Sequence, residues 1–154
     1  MIKIYQCETA RQWIAAKKVT QEYVEWLGID LSFQYFKKEM ETFEKEYGPP
    51  KGCFMIAMID TRLAGGVGLR KFRQGICEMK RLYVRREFRD LGIGYQLCRL
   101  VVEKARTIGY TSMRLDTLER LKEANRLYTR MGFEKIPPYR VNPKPGARFM
   151  EYIL

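Results

Sequence analysis

The stretch that decides the fold is EMKRLYVRREFRDLGIGYQLCRLVVEKAR, which runs from Glu78 to Arg106. Its first part, residues 78–84, is rich in β-branched and aromatic residues and predicts a strand. The turn RDLGIG at residues 89–94 interrupts that pattern. After Gly94, apolar residues recur at three- and four-residue spacing on one face of a predicted helix: Leu97, Cys98, Val101, Val102 and Ala105.

A glycine turn that opens a helix is suited to binding an anion. Several backbone N–H groups point outward there, the helix dipole favours negative charge, and glycine lets a ligand approach closely. The turn is not a Walker loop, because no Gly-Lys-Ser/Thr follows, and it lacks the third glycine of a dinucleotide fingerprint. A phosphate cradle and a turn needed only for packing both remain open on this evidence.

Composition excludes several classes of chemistry. The chain has no histidine, which rules out Ser-His-Asp and Cys-His catalysis and most zinc sites. Its four cysteines are scattered without a C-x-x-C pair, so buried reduced thiols are expected rather than disulfides or a metal site. The length of 154 residues favours one domain over residues 1–154. No membrane span or signal peptide is evident, and a cytoplasmic location is predicted.

The net charge of +11 is unevenly distributed. Residues 1–50 carry seven Lys and Arg against eight Asp and Glu, whereas residues 51–154 carry twenty-two against ten. The basic excess therefore accompanies the glycine turn. It would suit a phosphorylated ligand or a nucleic acid, and a solvated basic surface explains it equally well.

The remaining pattern predicts an α/β protein. A strand at residues 2–5 precedes a helix that Thr9 caps and Gly28 ends, and Ser32 caps a second helix whose aromatic stripe runs from Phe33 to Tyr47. Three antiparallel strands follow, the last of which carries Glu78. After the glycine turn and its helix, we expect a strand at 111–115, a helix at 120–131, a proline-rich loop at 137–146 and a closing strand at 147–154.

This order of elements resembles the GNAT superfamily of acyl-CoA-dependent N-acetyltransferases. The family's pyrophosphate motif, Arg/Gln-x-x-Gly-x-Gly/Ala, is matched by Arg89, Gly92 and Gly94. A second signature, Ala-x-x-Leu-Tyr-x-x-x-Gly-Phe, is matched by the residues Ala124, Leu127, Tyr128, Gly132 and Phe133. The resemblance implies a mixed, mostly antiparallel central sheet flanked by helices, with two central strands splayed apart to admit the pantetheine arm.

The resemblance also implies acetyl-CoA as co-substrate and no metal. The candidate cofactor-binding residues are Leu82, Tyr83, Val84, Arg89, Asp90, Leu91, Gly92, Ile93, Gly94, Tyr95 and Asn125. Family members often have an Asn seven residues before the motif tyrosine, where it contacts the pantetheine arm. This chain has Leu121 at that position, and Asn125 lies one helical turn later.

Two residues are candidates for catalysis. Tyr128 would protonate the departing thiolate, as the motif tyrosine does in many family members; taken alone, it is a tyrosine on an apolar helix face. Glu78 lies on the central strand and would act as the general base that the acceptor ammonium requires. The alternative for Glu78 is a strand carboxylate paired with Lys80 or another basic neighbour.

The acceptor is expected to be a primary amine of a small molecule. Its candidate binding residues lie in and after the proline-rich loop: Tyr139, Arg140, Asn142 and Arg148. A protein N-terminus or lysine is the alternative acceptor, and a basic nucleic-acid-binding module without catalysis is the alternative from another class. We expect no membrane partner, and a homodimer remains open.

Overall fold

The computed structural model describes residues 1–28 and 34–154, and the side chain of Gln34 is not described. Ser32 and Phe33, predicted to begin the second helix, and Asp30 lie outside the described residues. The strands are β1 (Ile2–Gln6), β2 (Cys53–Ile59), β3 (Arg62–Arg73), β4 (Ile76–Val84), β5 (Ser112–Leu118), β6 (Glu134–Ile136) and β7 (Ala147–Ile153). The helices are α1 (Ala10–Leu27), α2 (Gln34–Glu41), α3 (Phe43–Tyr47), α4 (Ile93–Ile108) and α5 (Lys122–Met131).

The seven described strands form one mixed sheet in the order β1-β2-β3-β4-β5-β7-β6. Its neighbouring strands are antiparallel, except that β4 and β5 run parallel with α4 as their crossover. The predicted fold class, a mostly antiparallel sheet flanked by helices, is therefore confirmed. Among the described residues, no helix has both the length and the apolar character needed to cross a bilayer.

Helix ends follow the sequence signals closely. The Thr9 hydroxyl accepts a hydrogen bond from the Gln12 amide, and the Gln12 side chain accepts one from the Thr9 amide, which is a complete capping box. Helix α1 ends at Gly28 in the left-handed conformation, with φ at 66°. The glycines serve as stops because a left-handed residue satisfies the last carbonyls at little steric cost.

The aromatic stripe lies on two helices rather than on one. Thr42 separates α2 from α3, and its hydroxyl donates to the Lys38 carbonyl at 2.9 Å. A hydroxyl bonded to the carbonyl four residues earlier competes with the backbone ladder and often bends a helix. Phe43 and Tyr47 are nevertheless buried in the core, as the stripe predicts. The three-residue strand β6 was not predicted, because it is too short for an alternating pattern.

The sheet is covered on both faces. Along β2, Cys53, Met55 and Ala57 pack with the apolar side of α4, while Phe54 and Ile56 pack with α1 and α3. This alternation follows from the two-residue period of a strand. The sheet is thus held between α4 with α5 on one side and α1 with α3 on the other.

The central strands β4 and β5 separate from each other about halfway along their length. Their ladder pairs Ile76 with Ser112, Cys77 with Met113 and Glu78 with Arg114, and then stops. The remaining part of β4, residues 79–84, is hydrogen-bonded to β3 on its other side. The predicted splay of the central strands is therefore present, and it begins immediately after Glu78.

An ion pair spans the opening. If the ladder continued for two more residues, Lys80 would lie opposite Asp116. The Lys80 ammonium lies 3.3 Å from Asp116 Oδ1. Both side chains are mostly buried, with 10% and 14% exposure. Burial by itself would raise the pKa of Asp116, but the charges of Lys80 and Arg140 and the hydrogen bonds from Lys80 and Asn142 together outweigh it and lower that pKa below its usual 3.8. The pair thus links the two strands where their backbone ladder has ended.

Replacing this carboxylate should destabilise the fold in a pH-dependent way. At pH 7, Asp116→Asn leaves a buried ammonium without its anion, and we expect a loss of about 3 kcal/mol. Because the pKa of Asp116 is lowered in the folded state, the wild-type contribution exists above pH 3.8 and disappears as the pH falls through the folded pKa. The difference between variant and wild type in urea unfolding should therefore stay constant from pH 7 to about pH 5 and shrink as the pH falls below 3.8.

Asp60→Asn is the matched control. Asp60 also pairs with an ammonium, that of Met1, but both groups are exposed, so its loss should hardly change the unfolding midpoint. A constant difference between Asp116→Asn and wild type across the whole pH range would contradict the role of the charged pair.

Candidate active site

The loop between β4 and α4 has the geometry of an anion cradle. Asp90 and Gly92 both adopt positive φ, at 65° and 79°, and Gly92 is the N-cap of α4. The amides of Ile93, Gly94 and Tyr95 are the first of the helix and so have no partner within it. They point in one direction at the positive end of the helix dipole, where an anion is favoured.

The two motif glycines serve different purposes. A Cβ added at Gly92 would meet no atom within 4 Å, so this glycine is required by its positive φ. A Cβ at Gly94 would meet Leu127 at 3.5 Å and Val84 at 3.9 Å, which are ordinary contacts, and no positive φ is found there. Neither packing nor backbone conformation therefore requires glycine at position 94. Close approach of a ligand is the remaining physical reason, and the cradle fits a phosphate group.

The arginines around the loop are largely occupied by the protein itself. Arg89 Nε donates to the Val84 carbonyl at 2.9 Å, and its guanidinium lies 4.8 Å from the Trp26 ring centroid. Arg85 makes a bidentate pair with Glu22 of α1, at 2.8 and 2.7 Å. These two side chains fix the loop against β4 and α1 and leave anion binding chiefly to the backbone.

A cleft of about 480 Å³ begins at this loop and continues along the parted strands. Of the predicted cofactor-binding residues, the cleft is lined by Leu82, Tyr83, Val84, Arg89, Asp90, Gly92, Ile93, Gly94 and Tyr95. The opposite wall comes from α5 and the residues before it, including Leu121, Ala124 and Leu127. The structure therefore brings together residues that are more than forty positions apart in the chain.

Two predicted cofactor-binding residues do not line the cleft. The Leu91 side chain is 52% exposed. Asn125 donates to the Leu118 carbonyl and accepts a hydrogen bond from the Thr117 hydroxyl, both at 2.9 Å. Its amide therefore ties α5 to the end of β5, and a cofactor contact from it stays a prediction.

Tyr128 lies where two clefts meet. It lines the cleft of about 480 Å³ and also a larger cleft beside it. The residue is 8% exposed, and its ring packs against Phe133 at 5.8 Å between centroids. Within residues 1–28 and 34–154 its hydroxyl makes no hydrogen bond. Burial raises the pKa of Tyr128 well above its ordinary value, so the hydroxyl keeps its proton at neutral pH.

Glu78 is the centre of a buried polar network. Its carboxylate is 1% exposed and accepts hydrogen bonds from Arg70 Nε at 3.2 Å, from the Tyr139 hydroxyl at 2.8 Å and from Arg140 Nη2 at 2.8 Å. Arg70 also pairs with Glu46 of α3. The carboxylate thus connects β4 with the proline-rich loop, and three donors already occupy acceptor sites on its two oxygens.

The larger cleft, of about 940 Å³, lies on the other side of the parted strands. Its walls come from α2, β4, the end of β5 and the proline-rich loop. Among the predicted acceptor residues, Arg140 and Asn142 line it, and Asn142 donates to Asp116 at 3.1 Å. Tyr139 and Glu78 line neither of the two clefts, and the Tyr139 hydroxyl donates to Glu78. Arg148 pairs with the exposed Glu119 at 3.1 Å and lines neither cleft.

Two ion pairs that line this cleft were not predicted from the sequence. They are Lys80 with Asp116, described above, and Arg81 with Glu39 of α2, whose closest contact is 2.7 Å. A signal was present, because Lys80 and Arg81 are consecutive charges in the middle of a strand predicted to be central. Buried charges need partners, so each required a carboxylate elsewhere.

The cysteines are poor nucleophiles. All four are free and buried, as predicted. Burial raises the pKa of Cys77 to about 12, so its thiol is protonated at neutral pH and cannot readily accept an acyl group. In the described parts of the chain, no three residues among His, Cys, Asp and Glu are placed to hold a metal ion.

Solved structures share this architecture. An acetyltransferase from Streptococcus agalactiae superposes with a TM-score of 0.81 at 20% identity, covering 99% of this chain and 98% of that one. The PaiA N-acetyltransferase from Thermoplasma acidophilum, solved in complex with coenzyme A, gives 0.74 at 19% identity, with 100% and 99% covered. At these identities the likeness concerns the fold.

Sequence comparison identifies the family. An uncharacterized N-acetyltransferase of Schizosaccharomyces pombe is 41% identical over 136 residues, which cover 87% of this chain and 83% of that protein. The model of the acetyltransferase (GNAT) family matches residues 20–133, from α1 through the glycine loop to the end of the Leu-Tyr signature. The protein is therefore an acyl-CoA-dependent N-acetyltransferase that belongs to the GNAT family.

Proposed function

We propose that this enzyme transfers the acetyl group of acetyl-CoA to a primary amine of a small molecule by direct attack. The observation that carries the proposal is the position of Tyr128, which lines both clefts and whose hydroxyl has no hydrogen-bond partner among the described residues. One cleft would hold the cofactor and the other the acceptor. Their reacting groups would then meet beside a proton donor.

The cofactor would lie along the loop and the free side of β4. The amides of Gly92, Ile93 and Gly94 would hold the pyrophosphate, and backbone groups of β4 between Leu82 and Val84 would bond the pantetheine arm. Acetyl-CoA supplies a thioester whose carbonyl carbon accepts an amine. A β4 amide that faces the carbonyl oxygen would stabilise the charge that develops there.

The protein must also remove a proton from the acceptor. An ordinary ammonium, with a pKa near 10, costs about 4 kcal/mol to neutralise at pH 7. Glu78 stays the candidate for the general base, acting directly or through water, and it lies where β4 and β5 begin to part. Its bonds to Tyr139 and Arg140 support a second role, in which it positions the proline-rich loop against the acceptor cleft.

Tyr128 would act as the acid. Its raised pKa keeps the proton on the hydroxyl at neutral pH, and the departing thiolate would take that proton as its C–S bond breaks. The buried thiols of Cys77 and Cys98 support transfer without an acyl-cysteine intermediate.

The size of the second cleft favours a small acceptor. At about 940 Å³ it falls within the range of small-molecule sites, and it is walled on several sides by α2 and the proline-rich loop. A protein N-terminus or lysine would have to enter the same cleft as an extended segment, and it remains the alternative acceptor. A cytoplasmic location, a homodimer and a single domain over residues 1–154 stay predictions.

A nucleic-acid-binding function is less well supported. Several arginines of the basic region are neutralised by buried or half-buried carboxylates, among them Arg70, Arg81 and Arg85. Binding through phosphate contacts would weaken steeply with salt, whereas a cradle of backbone amides should lose less affinity.

Acetyl-CoA should stabilise the protein through the glycine loop. At one hundred times its dissociation constant, the cofactor should add about 2.7 kcal/mol to the free energy of unfolding. Gly94→Val should abolish this gain, because a branched side chain fills the space that the pyrophosphate needs. Gly94→Ala is the matched control, since its Cβ has room and the family motif admits alanine. A wild-type melting temperature that does not change at millimolar acetyl-CoA would contradict the proposal.

Removing the Tyr128 hydroxyl should impair chemistry without impairing binding. With Tyr128→Phe we expect kcat to fall by about 10², the lower end of the range for a lost general acid, because a thiolate is a fair leaving group. The acetyl-CoA dissociation constant should change little. The measurement is single-turnover CoA release with an amine found by screening. A variant that keeps more than about half of the wild-type rate in the chemical step would make Tyr128 a packing residue.

Glu78→Gln tests the general base. If Glu78 accepts the proton, kcat should fall by about 10²–10⁴ and the acid limb of the pH profile of kcat/KM should disappear. Tyr139→Phe is the control, since it removes one donor and leaves the carboxylate in place. A raised acceptor KM with an unchanged pH profile would instead assign Glu78 to holding the loop.

A further inference from the structure

The strand that lines the cofactor cleft carries a bulge at its midpoint. Lys80 is opposite Gly68 and Tyr83 is opposite Gly66, so the two residues Arg81 and Leu82 of β4 face the single residue Val67 of β3. Arg81 adopts a φ of 63°, in the left-handed region that residues with a Cβ seldom occupy. Such a conformation persists only where the surroundings enforce it.

The enforcing contact comes from α2. The Arg81 guanidinium makes a bidentate pair with Glu39, with Nε 3.0 Å from Oε2 and Nη2 2.7 Å from Oε1. Glu39 is 6% exposed, and its Oε2 also accepts a hydrogen bond from the buried Tyr47 hydroxyl at 2.8 Å. The carboxylate is thereby fixed from two sides and can hold the arginine in place.

Glu39 is ionised at neutral pH. Burial by itself would raise its pKa, but the hydrogen bonds and charge of Arg81 outweigh that effect and lower the pKa. The pair therefore has both its charge and its planar two-bond geometry, which a lysine at position 81 could not reproduce.

The bulge lies at the junction of the two clefts. Leu82, its second residue, lines both clefts, as does Tyr128. A bulge turns backbone groups out of the ladder and re-aims them. The direction of any β4 amide that donates to a thioester oxygen beside Tyr128 would thus depend on the backbone conformation of Arg81 and Leu82.

We propose that Glu39 and Arg81 are positioning residues, which act by holding the β4 bulge in the conformation that aims its amide at the thioester oxygen. The inference rests on the proposed acetyl transfer. It assigns to α2, a wall of the acceptor cleft, a second role in shaping the cofactor side. Neither residue needs to contact the substrate for this effect.

The test compares variants that all lose the Glu39–Arg81 ion pair but differ in the strain of holding a positive φ at position 81. Arg81→Ala loses the guanidinium and must hold a strained φ unaided, whereas Arg81→Gly loses the same guanidinium but adopts that φ freely. We expect Arg81→Ala and Glu39→Gln to lower single-turnover kcat by about 10², comparable to losing one oxyanion donor. The acetyl-CoA dissociation constant should stay within about threefold, because the loop amides are untouched. Arg81→Gly should regain at least about tenfold of the lost rate.

The double variant Glu39→Gln with Arg81→Gly should have a single-turnover kcat little lower than that of Arg81→Gly alone, because both substitutions break the same contact. The control is Glu103→Gln, which breaks the exposed pair with Arg99 on α4 and should leave the rate unchanged. If Glu39→Gln does not fold, the comparison of Arg81→Gly with Arg81→Ala still decides the question.

The outcomes separate this inference from the function beneath it. Equal losses in Arg81→Gly and Arg81→Ala, or wild-type rates in all variants, would overturn the positioning role while wild-type acetyl transfer stands. A wild-type protein that binds no acetyl-CoA in calorimetry would overturn the proposed function and this inference with it.

Discussion

The parting of β4 and β5 is the constraint on which the rest of the structure depends. Two parallel strands that separate after three ladder pairs leave backbone groups and side chains facing each other across a gap. Unpaired backbone is costly unless something satisfies it, so an opening of this kind must be maintained. Here the Lys80–Asp116 pair spans it on one side, and α5 closes it on the other with Tyr128. Both clefts exist because this one ladder is incomplete.

The uneven charge of the chain has an internal explanation. Three carboxylates of the slightly acidic N-terminal fifty residues, Glu22, Glu39 and Glu46, pair with arginines of the basic remainder. The basic excess therefore serves partly to dock α1, α2 and α3 onto β3, β4 and the loop that follows. Charge counted along a sequence cannot distinguish such docking from a ligand-binding surface, because it carries no information on which residues meet.

The local parts of the fold could be predicted, and the long-range parts could not. Thr9, Gly28 and Gly92 act within a few residues of themselves, so their roles follow from sequence alone. That the glycine loop and the end of β4 lie together along one cleft was likewise predictable, because they are contiguous in the chain. The bulge at Arg81 was not, since its positive φ is imposed by Glu39, forty-two positions earlier. The partners of Glu78 were missed for the same reason, as two of them lie in a loop more than sixty positions later.

The ion pair between Glu39 of α2 and Arg81 of β4 also limits how the acceptor cleft could be redesigned. Helices α1 and α2 with the proline-rich loop wall the acceptor cleft, so an engineer would think of grafting them from a relative. Such a graft would remove the carboxylates that Arg81 and Arg85 need, and would leave cations unpaired beside the cofactor. A successful graft must therefore also change Arg81 in β4 and Arg85 in the loop after it, so that they match the new helices. The walls of the two clefts are thus coupled through these ion pairs, and a change on one side requires a matching change on the other.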